Sequence, residues 1–372
     1  MTAPTVAIDV TPLIGVRTGV GHAVASAIAA VMVDVDPPGL RPYALSLRAR
    51  DHRDELPEGT IVPPVPARIA LAAWPRLDRP SIDRWLGDVD VVHATNYLVP
   101  PSRHPTVVTV HDCAFVRYPE LAVDDVGRYE AIVRRAVHRG ATVHVPSEFV
   151  AHEVDEIFGP GLIASGRVVT IPWGIPPILP DRGMSDDIAH RIDGRPFVLA
   201  LGTVEPRKNL PHLVAAFGRY ATTDPESVLI VAGPDGSASA ALAMAVDALP
   251  SDIAARVIRV GAVTERDRSA LLHRARTLAY PSISEGFGFP VLEAMLAGTP
   301  VVAARAGSIP EIAGDAARLV DATDEDALAT ALSDLADDAT ASEFAARGRR
   351  RADQFDWSTT GRGLVSLYQA VT

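Results

Sequence analysis

The sequence is poor in cysteine and contains no long apolar run. Cys113 is the only cysteine among 372 residues, which excludes an intramolecular disulfide and a thiolate metal site. The longest apolar stretch, about residues 23–33, is shorter than the ~20 residues of a membrane-spanning helix. The amino-terminal segment also lacks the basic residues of a signal peptide. We therefore expect a cytoplasmic protein, with any membrane contact limited to the periphery of the inner face.

Positive charge is scarce as well. Lysine and arginine total 35 against 46 acidic residues, which gives a net charge of −11. Residues 1–180 carry −4 and the rest −7, so neither half is basic and nucleic acid is not an expected partner. Lys208 is the only lysine, because the other 34 basic residues are arginine. Because arginine is used at every other basic position, the position of Lys208 is a candidate for a functional role.

Short aliphatic runs alternate with helical patterns along the whole chain. Such runs, with little polar alternation, are typical of parallel strands buried on both faces. The predicted strands are residues 6–10, 89–93, 107–110, 142–145 and 168–171, then 197–201, 228–232, 257–260, 277–280 and 301–304. Helical patterns include residues 210–220, 267–276 and 291–297. The pattern restarts after a Pro- and Gly-rich break at residues 173–183, which predicts two doubly wound α/β domains rather than a barrel.

The strongest motif is the segment Ser284–Pro300, which follows a predicted strand. A glycine-rich turn leads into a short helix, with Pro290 in its first turn and Gly298 at its end. Glu285 precedes the helix and Glu293 lies on it, so the two carboxylates can accept hydrogen bonds from two sugar rings while the helix amides contact anionic oxygens. For either glutamate alone, an exposed or capping role is the favoured interpretation. The whole constellation favours a binding site.

A second motif, residues 199–210, again combines strand, glycine, loop and helix. Asn209 is predicted to cap the helix, with Pro211 in its first turn. Arg207 and Lys208 would then lie at the carboxyl end of a strand, where doubly wound sheets bind ligands. A planar guanidinium beside a compact ammonium suits a diphosphate. The alternative is a solvated basic pair in a surface turn.

The first half carries weaker signals. Gly15, Gly19 and Gly21 follow the first strand and would let backbone amides approach a phosphate or a sugar. His111 and Asp112 follow another strand, as do Asn96 and Tyr97, and each pair could line a substrate pocket or be purely structural. Two Asp-x-Asp triplets, at residues 34–36 and 88–90, are too sparse a ligand set for a metal, so no metal site is predicted.

These segments together resemble the retaining nucleotide-sugar glycosyltransferases of family 4, which have the two-Rossmann-domain GT-B fold. The resemblance rests on SEGFGFPVLEAMLAGTPVVA and GTVEPRKNL in the second half. The segments IDVTPLIGVRTGVG, HATNYLVPP, HDCAFVRYPE and VPSEFV resemble the mannosyltransferase-B-like branch in particular. Phe289 stands where the family more often has leucine, and Cys113 follows His-Asp where leucine is common.

The resemblance implies a domain layout. Residues 1–180 would form a Rossmann-like acceptor-binding domain and residues 181–356 a Rossmann-like donor-binding domain, facing each other across a cleft. Residues 357–372 would form a helix that crosses back onto the first domain.

The resemblance also implies roles for single residues. Arg207 and Lys208 would neutralise the donor diphosphate, and Glu285 with the amides of Gly286, Phe287 and Gly288 would hold the transferred sugar. Glu293 would hold the ribose, His111 would contact the transferred sugar, and Gly19 or Gly21 would approach the phosphates. The implied catalytic residues are thus His111, Arg207, Lys208 and Glu285. Gly202, Thr203, Val263 and Phe289 complete the predicted donor set, and Asn96, Tyr97 and Asp112 form the predicted acceptor set.

The expected function is therefore transfer of a hexose, with retention, from a nucleotide-diphosphate sugar to a growing glycan or a lipid-linked saccharide. GDP-mannose is the expected donor, and neither a metal nor a cofactor is expected. Two alternatives remain: a catalytically inert sugar-nucleotide-binding subunit of the same fold, and a sugar-nucleotide epimerase or a phosphorylase of similar architecture. A product assay separates them, because transfer releases the nucleotide and an epimerase does not.

Overall fold

The computed structural model describes residues 3–15, 19–119 and 126–372. The chain forms two compact units: unit 1 runs to Gly174 and includes Phe355–Thr372, and unit 2 is Ile175–Gln354. The predicted boundaries, residues 180 and 356, lie slightly further along the chain. The first transition comes early because Gly174 packs so closely on unit 1 that a Cβ atom there would lie 2.4 Å from the backbone nitrogen of Trp357.

Strands and helices alternate in both units. The strands are β1 (Thr5–Asp9), β2 (Gly39–Tyr43), β3 (Val91–Ala94), β4 (Thr106–Thr109), β5 (Thr142–Val145), β6 (Val168–Thr170), β7 (Phe197–Leu201), β8 (Val228–Ala232), β9 (Val257–Gly261), β10 (Thr277–Tyr280), β11 (Val301–Ala304) and β12 (Arg318–Val320). The α-helices are α1 (Gly19–Met32), α2 (Ala67–Ala73), α3 (Asp83–Leu86), α4 (Ala114–Arg117), α5 (Val126–His138), α6 (Glu148–Phe158), α7 (Asp186–Ile192), α8 (Leu210–Thr223), α9 (Ser239–Asp247), α10 (Ser251–Ala254), α11 (Glu265–Arg274), α12 (Phe289–Ala297), α13 (Ile309–Ala313), α14 (Glu325–Asp334), α15 (Asp338–Ala352) and α16 (Trp357–Val371).

Unit 1 contains a six-stranded parallel sheet in the order β2-β1-β3-β4-β5-β6. Strands β3 and β4 consist almost wholly of buried residues, as expected for a sheet covered on both faces. The carboxy-terminal helix α16 packs on α1, where a Cβ atom on Gly361 would lie 2.6 Å from the carbonyl oxygen of Ala30. The predicted return of the last helix to the first domain is therefore observed within unit 1.

Unit 2 contains a second six-stranded parallel sheet in the order β12-β11-β10-β7-β8-β9. Strands β7 and β8 are fully buried, and α8 buries Leu213 and Phe217 against them. The order of the strands reverses between β7 and β10, which makes their carboxyl ends the topological switch point where ligands of such sheets bind. The predicted α/β class with two doubly wound units is confirmed.

Two strands were not predicted. Both lie at a sheet edge: β2 contains Pro42 and is only half-buried, and β12 has three residues. The other five strands of each sheet agree with the prediction within two residues.

Candidate functional site

The switch point of unit 2 brings both strong motifs together. Strand β7 leads into residues 202–208, and the neighbouring β10 leads into residues 281–288. The two loops are joined directly, because the backbone nitrogen of Ile283 donates to the carbonyl oxygen of Arg207 over 2.9 Å. The adjacency of these motifs is therefore a product of strand order, not of sequence proximity.

Lys208 and Arg207 hold the carboxylate of Glu285 between them. The Lys208 Nζ donates to Glu285 Oε1 over 2.6 Å, and the Arg207 Nη1 donates to Glu285 Oε2 over 2.9 Å. Lys208 also donates to the Tyr280 hydroxyl over 2.8 Å. Glu285 is 8% exposed. It is therefore not the exposed glutamate that the motif alone would also have allowed. Three of the four residues predicted to be catalytic thus form one ion cluster, in which Glu285 is buried and Arg207 is partly exposed.

The electrostatics of this cluster are set by burial and by the close charges. Burial raises the pKa of Glu285, but Lys208 and Arg207 outweigh it and lower that pKa to about 2. Burial lowers the pKa of Lys208, and Glu285 opposes this effect. Arg207 has a second carboxylate, Glu205, at 3.0 Å from its Nε. The two cations are therefore matched by two carboxylates, a balance that the sequence did not show.

Neighbouring backbone fixes the position of Glu285. The nitrogen of Ser308 donates to the carbonyl oxygen of Glu285 over 2.9 Å. Gly307 has φ +59°, and a Cβ atom there would lie 2.6 Å from both the nitrogen and the oxygen of Glu285. Only glycine fits such a close approach in a left-handed conformation. Gly202 lies on the other side, where its Cβ position would be 3.5 Å from Lys208 Cε.

Helix α12 begins directly after the glycine turn. Gly288 occupies its first cap with φ +95°, Pro290 lies in its first turn, and Gly298 ends it with φ +83°. The positive end of the helix dipole therefore lies next to Glu285 along the chain. Phe287 is buried and packs edge-on against Phe289, with ring centroids 5.0 Å apart.

The second glutamate of the motif has a partner that the sequence did not suggest. Glu293 lies on α12, is 3% exposed, and forms an ion pair with Arg268 on α11. Contact between these helices depends on tertiary packing, so no spacing rule pointed to Arg268. Tyr280 was missed for a simpler reason, since it reads as the last residue of a buried strand.

Asn209 occupies the predicted N-cap position of α8, but its side chain does not cap the helix. It has φ +55° and makes no side-chain capping bond to α8. Its side-chain nitrogen instead donates to the carbonyl oxygens of Pro281, at 3.3 Å, and Ala322, at 2.7 Å. The Asn209 amide thus joins the two loops of the site. It makes these bonds instead of a helix-capping bond because a buried amide must be hydrogen-bonded.

Two further residues of the predicted donor set lie in unit 2. Thr203 follows Gly202 and accepts a backbone bond from Glu205 over 2.8 Å. Val263 is half-buried in the loop before α11.

The predicted acceptor residues come together in unit 1. The Tyr97 hydroxyl lies 3.2 Å from both the nitrogen and the oxygen of Asp112. The Tyr97 ring meets His111 edge-on, with centroids 6.3 Å apart, and Asn96 accepts a bond from the Tyr97 nitrogen over 2.9 Å. His111 Nε2 lies 2.9 Å from the carbonyl oxygen of Thr95. Burial lowers the pKa of His111, against the opposing effects of that bond and of Asp112.

The glycine loop after β1 is described only in part. Gly15 has φ +76° and donates to Glu55 Oε2 over 2.8 Å, while Gly19 and Gly21 belong to the first turn of α1. Residues 16–18 of the predicted loop lie outside the described residues.

The described residues contain neither a metal-binding cluster nor a membrane-spanning helix. Over residues 3–15, 19–119 and 126–372, no three His, Cys, Asp or Glu side chains are grouped so that they could hold a metal ion. Within the same ranges no helix is long and apolar enough to cross a membrane.

Comparison with known proteins gives consistent matches. The family profile described as Glycosyltransferase Family 4 matches residues 39–178, and the profile described as Glycosyl transferases group 1 matches residues 185–353. The chain is 30% identical over 286 residues to the O-antigen chain mannosyltransferase B of Escherichia coli. This alignment covers 75% of this chain and 74% of that protein. It is also 30% identical over 301 residues to the glycogen synthase of Mycobacterium tuberculosis (strain ATCC 25618 / H37Rv), covering 76% and 69%.

Solved structures show the same fold. The structure of HepE from Anabaena in complex with UDP-glucose aligns with a TM-score of 0.73 over 99% of this chain and 100% of that one. The identity is 19%, so this likeness concerns the architecture alone.

Proposed function

The chain belongs to the GT-B glycosyltransferases of family 4, and on that premise we propose that it transfers a hexose with retention of anomeric configuration. The donor would be a nucleotide-diphosphate sugar, with GDP-mannose favoured by the similarity to a mannosyltransferase. The acceptor would be a growing glycan or a lipid-linked saccharide.

The observation that carries this proposal is the ion cluster at the switch point between β7 and β10. Lys208 and Arg207 are positioned by Glu285 before any donor arrives. When the bond between sugar and phosphate breaks, negative charge develops on the diphosphate, and two prepositioned cations stabilise it without reorganisation. The helix dipole of α12 adds to this stabilisation.

The state of Glu285 supports a proton transfer to the departing phosphate. Each oxygen of the Glu285 carboxylate is held by a cation, and its pKa is about 2. Such a carboxylate is a poor nucleophile and a poor general base, because an efficient base has a pKa near the working pH. We propose, as the family resemblance implies, that the leaving phosphate oxygen takes the acceptor proton and that Glu285 holds sugar hydroxyls.

A thermal-shift panel of GDP-, UDP-, dTDP- and ADP-sugars tests the donor. A donor at 100 times its Kd stabilises the folded chain by about 2.7 kcal/mol, and we expect the largest shift with GDP-mannose. Transfer is then followed with the stabilising donor and a mannosylated oligosaccharide, and NMR of the product gives the anomeric configuration. An inverted product, or stabilisation by another donor alone, would contradict the corresponding part of the proposal.

The variant Lys208→Met tests whether the Lys208 ammonium group contributes to transfer. We expect turnover to fall by a factor of about 100 or more, as for loss of one oxyanion-stabilising donor. Arg219→Met is the matched control, since Arg219 is an exposed cation of α8 that pairs with Glu325 and Asp326. Bound donor without any turnover in the unmodified chain would favour an inert binding subunit.

A further inference from the structure

We propose that unit 1 contains a separate ligand site, a cavity that binds a small organic phosphate monoester. The cavity has a volume of about 290 Å³, and all its lining residues lie between Trp74 and Ala141. This volume is at the lower end of the range for small-molecule pockets. The inference goes beyond the proposed function, and its test measures binding without any transfer of sugar.

The cavity lies at the amino ends of β4 and β5. Its lining includes Thr106, the first residue of β4, and Ala141, which directly precedes β5. The strands of this sheet are parallel, so their amino ends share one edge. Tyr97 and His111 follow the carboxyl ends of β3 and β4, which form the opposite edge. The cavity is therefore distinct from the predicted acceptor residues.

Positive charge dominates the lining of this cavity. The lining contains three arginines, Arg103, Arg135 and Arg139, and one acidic residue, Asp78. Asp78 binds two of them: its Oδ1 lies 3.0 Å from Arg135 Nε, and its Oδ2 lies 2.5 Å from Arg139 Nη1. One carboxylate cannot neutralise two guanidinium groups. The lining therefore keeps a surplus of positive charge, although the chain as a whole carries −11.

Arg103 is only weakly committed to a carboxylate. Its Nε lies 4.0 Å from Asp83 Oδ2, and its side chain is 81% exposed. Asp83 already accepts from the Ser102 hydroxyl over 2.7 Å and from the Arg103 backbone nitrogen over 3.2 Å. Guanidinium groups bind phosphate through paired N–H donors. Arg103 can therefore add its donors to a phosphate group held by the two arginines at the end of α5.

His104, which also lines the cavity, has a buried polar atom that lacks a partner. Its Nε2 makes no hydrogen bond to any residue that the structure describes. Its backbone is fixed, because its nitrogen donates to Ser102 Oγ over 3.0 Å and Pro105 follows it. Buried polar atoms nearly always have a hydrogen-bond partner. An oxygen of a bound phosphate group would supply that partner.

The other walls of the cavity are apolar, which favours an organic phosphate over the free ion. Trp74, Val99 and Ile132 line it and are each buried. A small apolar body attached to the phosphate would cover this surface, whereas inorganic phosphate would leave it in contact with water. Three arginines against one aspartate leave two positive charges, which match the roughly −1.5 to −2 of a phosphate monoester at pH 7 better than a single carboxylate.

Calorimetric titration of the full chain with phenyl phosphate, inorganic phosphate and benzoate tests the class of ligand. We expect phenyl phosphate to bind about 10 times more tightly than either of the others, because only it combines the dianion with an apolar body. No binding of phenyl phosphate would overturn the proposal. Equal affinity for inorganic phosphate would contradict the role of the apolar walls, and equal affinity for benzoate would contradict the need for a dianion.

Variants of the lining residues test the place of binding. Arg135→Gln and Arg139→Gln should each weaken the binding of phenyl phosphate by a factor of about 10 or more, as for the loss of a charge-assisted hydrogen bond. Asp78→Asn releases both arginines and should tighten binding, a gain that a damaged fold cannot produce. Arg134→Gln is the matched control, since Arg134 pairs with Glu130 on α5 and is not a lining residue. It should leave the affinity unchanged.

Two further measurements distinguish this cavity from the ion cluster of unit 2. Lys208→Met should bind phenyl phosphate as the unmodified chain does. Loss of binding in Lys208→Met but not in Arg135→Gln would place the ligand at the ion cluster and overturn the proposal. In nitrogen NMR of the histidine-labelled chain, saturating phenyl phosphate should shift the ring signals of His104, assigned by their absence in His104→Gln. Unmoved signals would also overturn it. Absence of sugar transfer from any donor would refute only the proposed function, because these titrations require no turnover.

Discussion

At the scale of single residues, Lys208 and Glu285 compensate each other's burial. Each charge would be costly to bury alone, and the ion pair offsets that cost. Both side chains are about nine-tenths buried, at 11% and 9% exposure. Removing one partner of such a pair strands a buried charge and costs about 3 to 5 kcal/mol, whereas replacing both partners can be nearly neutral. Arg207 remains as a second cation on Glu285, which places the expected cost at the lower end of that range.

The first prediction follows from this asymmetry. Lys208→Met should lower the free energy of unfolding by about 3 kcal/mol, and the double variant Lys208→Met with Glu285→Gln should recover most of that loss. The surface pair of Arg347 and Glu343 on α15 provides the control, because Arg347→Met should cost less than about 0.5 kcal/mol. Urea unfolding followed by circular dichroism measures all three. Similar losses for Lys208→Met and Arg347→Met would refute the prediction.

The cluster also shows why a site is harder to predict than its motifs. The residue types of Arg207, Lys208 and Glu285 mark them as candidates. Their contact depends on β7 lying beside β10, across 77 residues of chain between Lys208 and Glu285. Local periodicity carries no information about strand order. The sequence therefore predicted that Arg207 and Lys208 bind the donor diphosphate and that Glu285 binds the sugar, and it did not predict that the three side chains contact one another. Arg268 is the extreme case, since only the packing of α11 on α12 brings it to Glu293.

At the scale of elements, predictability follows burial. The buried strands are uninterrupted aliphatic runs because both faces of a parallel sheet are covered. The two strands that the sequence missed lie at edges, where one side of the strand has no partner and Pro42 is tolerated in β2. The site is built on the predictable part, at the carboxyl ends of central strands, and completed by the less predictable turn before α13.

That turn gives the second prediction. Gly307 and Gly314 flank α13 and have nearly the same φ, +59° and +57°. Alanine at Gly314 meets only ordinary contacts, the nearest at 3.7 Å, so it should cost about 1 to 3 kcal/mol for the strained backbone alone, φ +57° with ψ −130°. Alanine at Gly307 adds a collision with the Glu285 backbone. Gly307→Ala should therefore destabilise unit 2 more than Gly314→Ala does.

Donor binding distinguishes the two glycine variants further. Gly307→Ala displaces Glu285, so it should weaken binding of the stabilising nucleotide sugar, measured by calorimetry at a temperature where both variants are folded. Gly314→Ala should bind that donor as the unmodified chain does. Equal stability losses and unchanged binding in both variants would show that the close approach of Gly307 has no effect on the site.

At the scale of the whole molecule, the distribution of aromatic residues separates the two units experimentally. All four tryptophans, Trp74, Trp85, Trp173 and Trp357, belong to unit 1. Tryptophan fluorescence therefore follows the unfolding of unit 1, whereas circular dichroism follows both units. This matters because a chain of two domains need not unfold in one step.

The buried histidines make unit 1 sensitive to acid. Burial lowers the pKa of His144 to about 4 and holds that of His93 well below its usual range. Below pH 6.5 the unfolded chain binds these protons first, so the stability contributed by neutral histidine is lost as the pH falls from 6.5 to about 4. Asp9 acts in the opposite direction, since burial raises its pKa to about 6.

The third prediction isolates one of these protons. His144→Gln keeps a donor toward Ile171 but does not titrate, so its unfolding free energy should depend less on pH than that of the unmodified chain. The difference in slope between pH 4.5 and 6 should be about 1 kcal/mol per pH unit, somewhat below the roughly 1.4 kcal/mol for one full proton. His152→Gln, an exposed position on α6, should leave the slope unchanged. Urea titrations at several pH values, followed by tryptophan fluorescence, give these slopes.

Parallel slopes for His144→Gln and the unmodified chain would mean that His144 takes up no extra proton on unfolding. Burial would then not be what keeps His144 neutral in the folded chain.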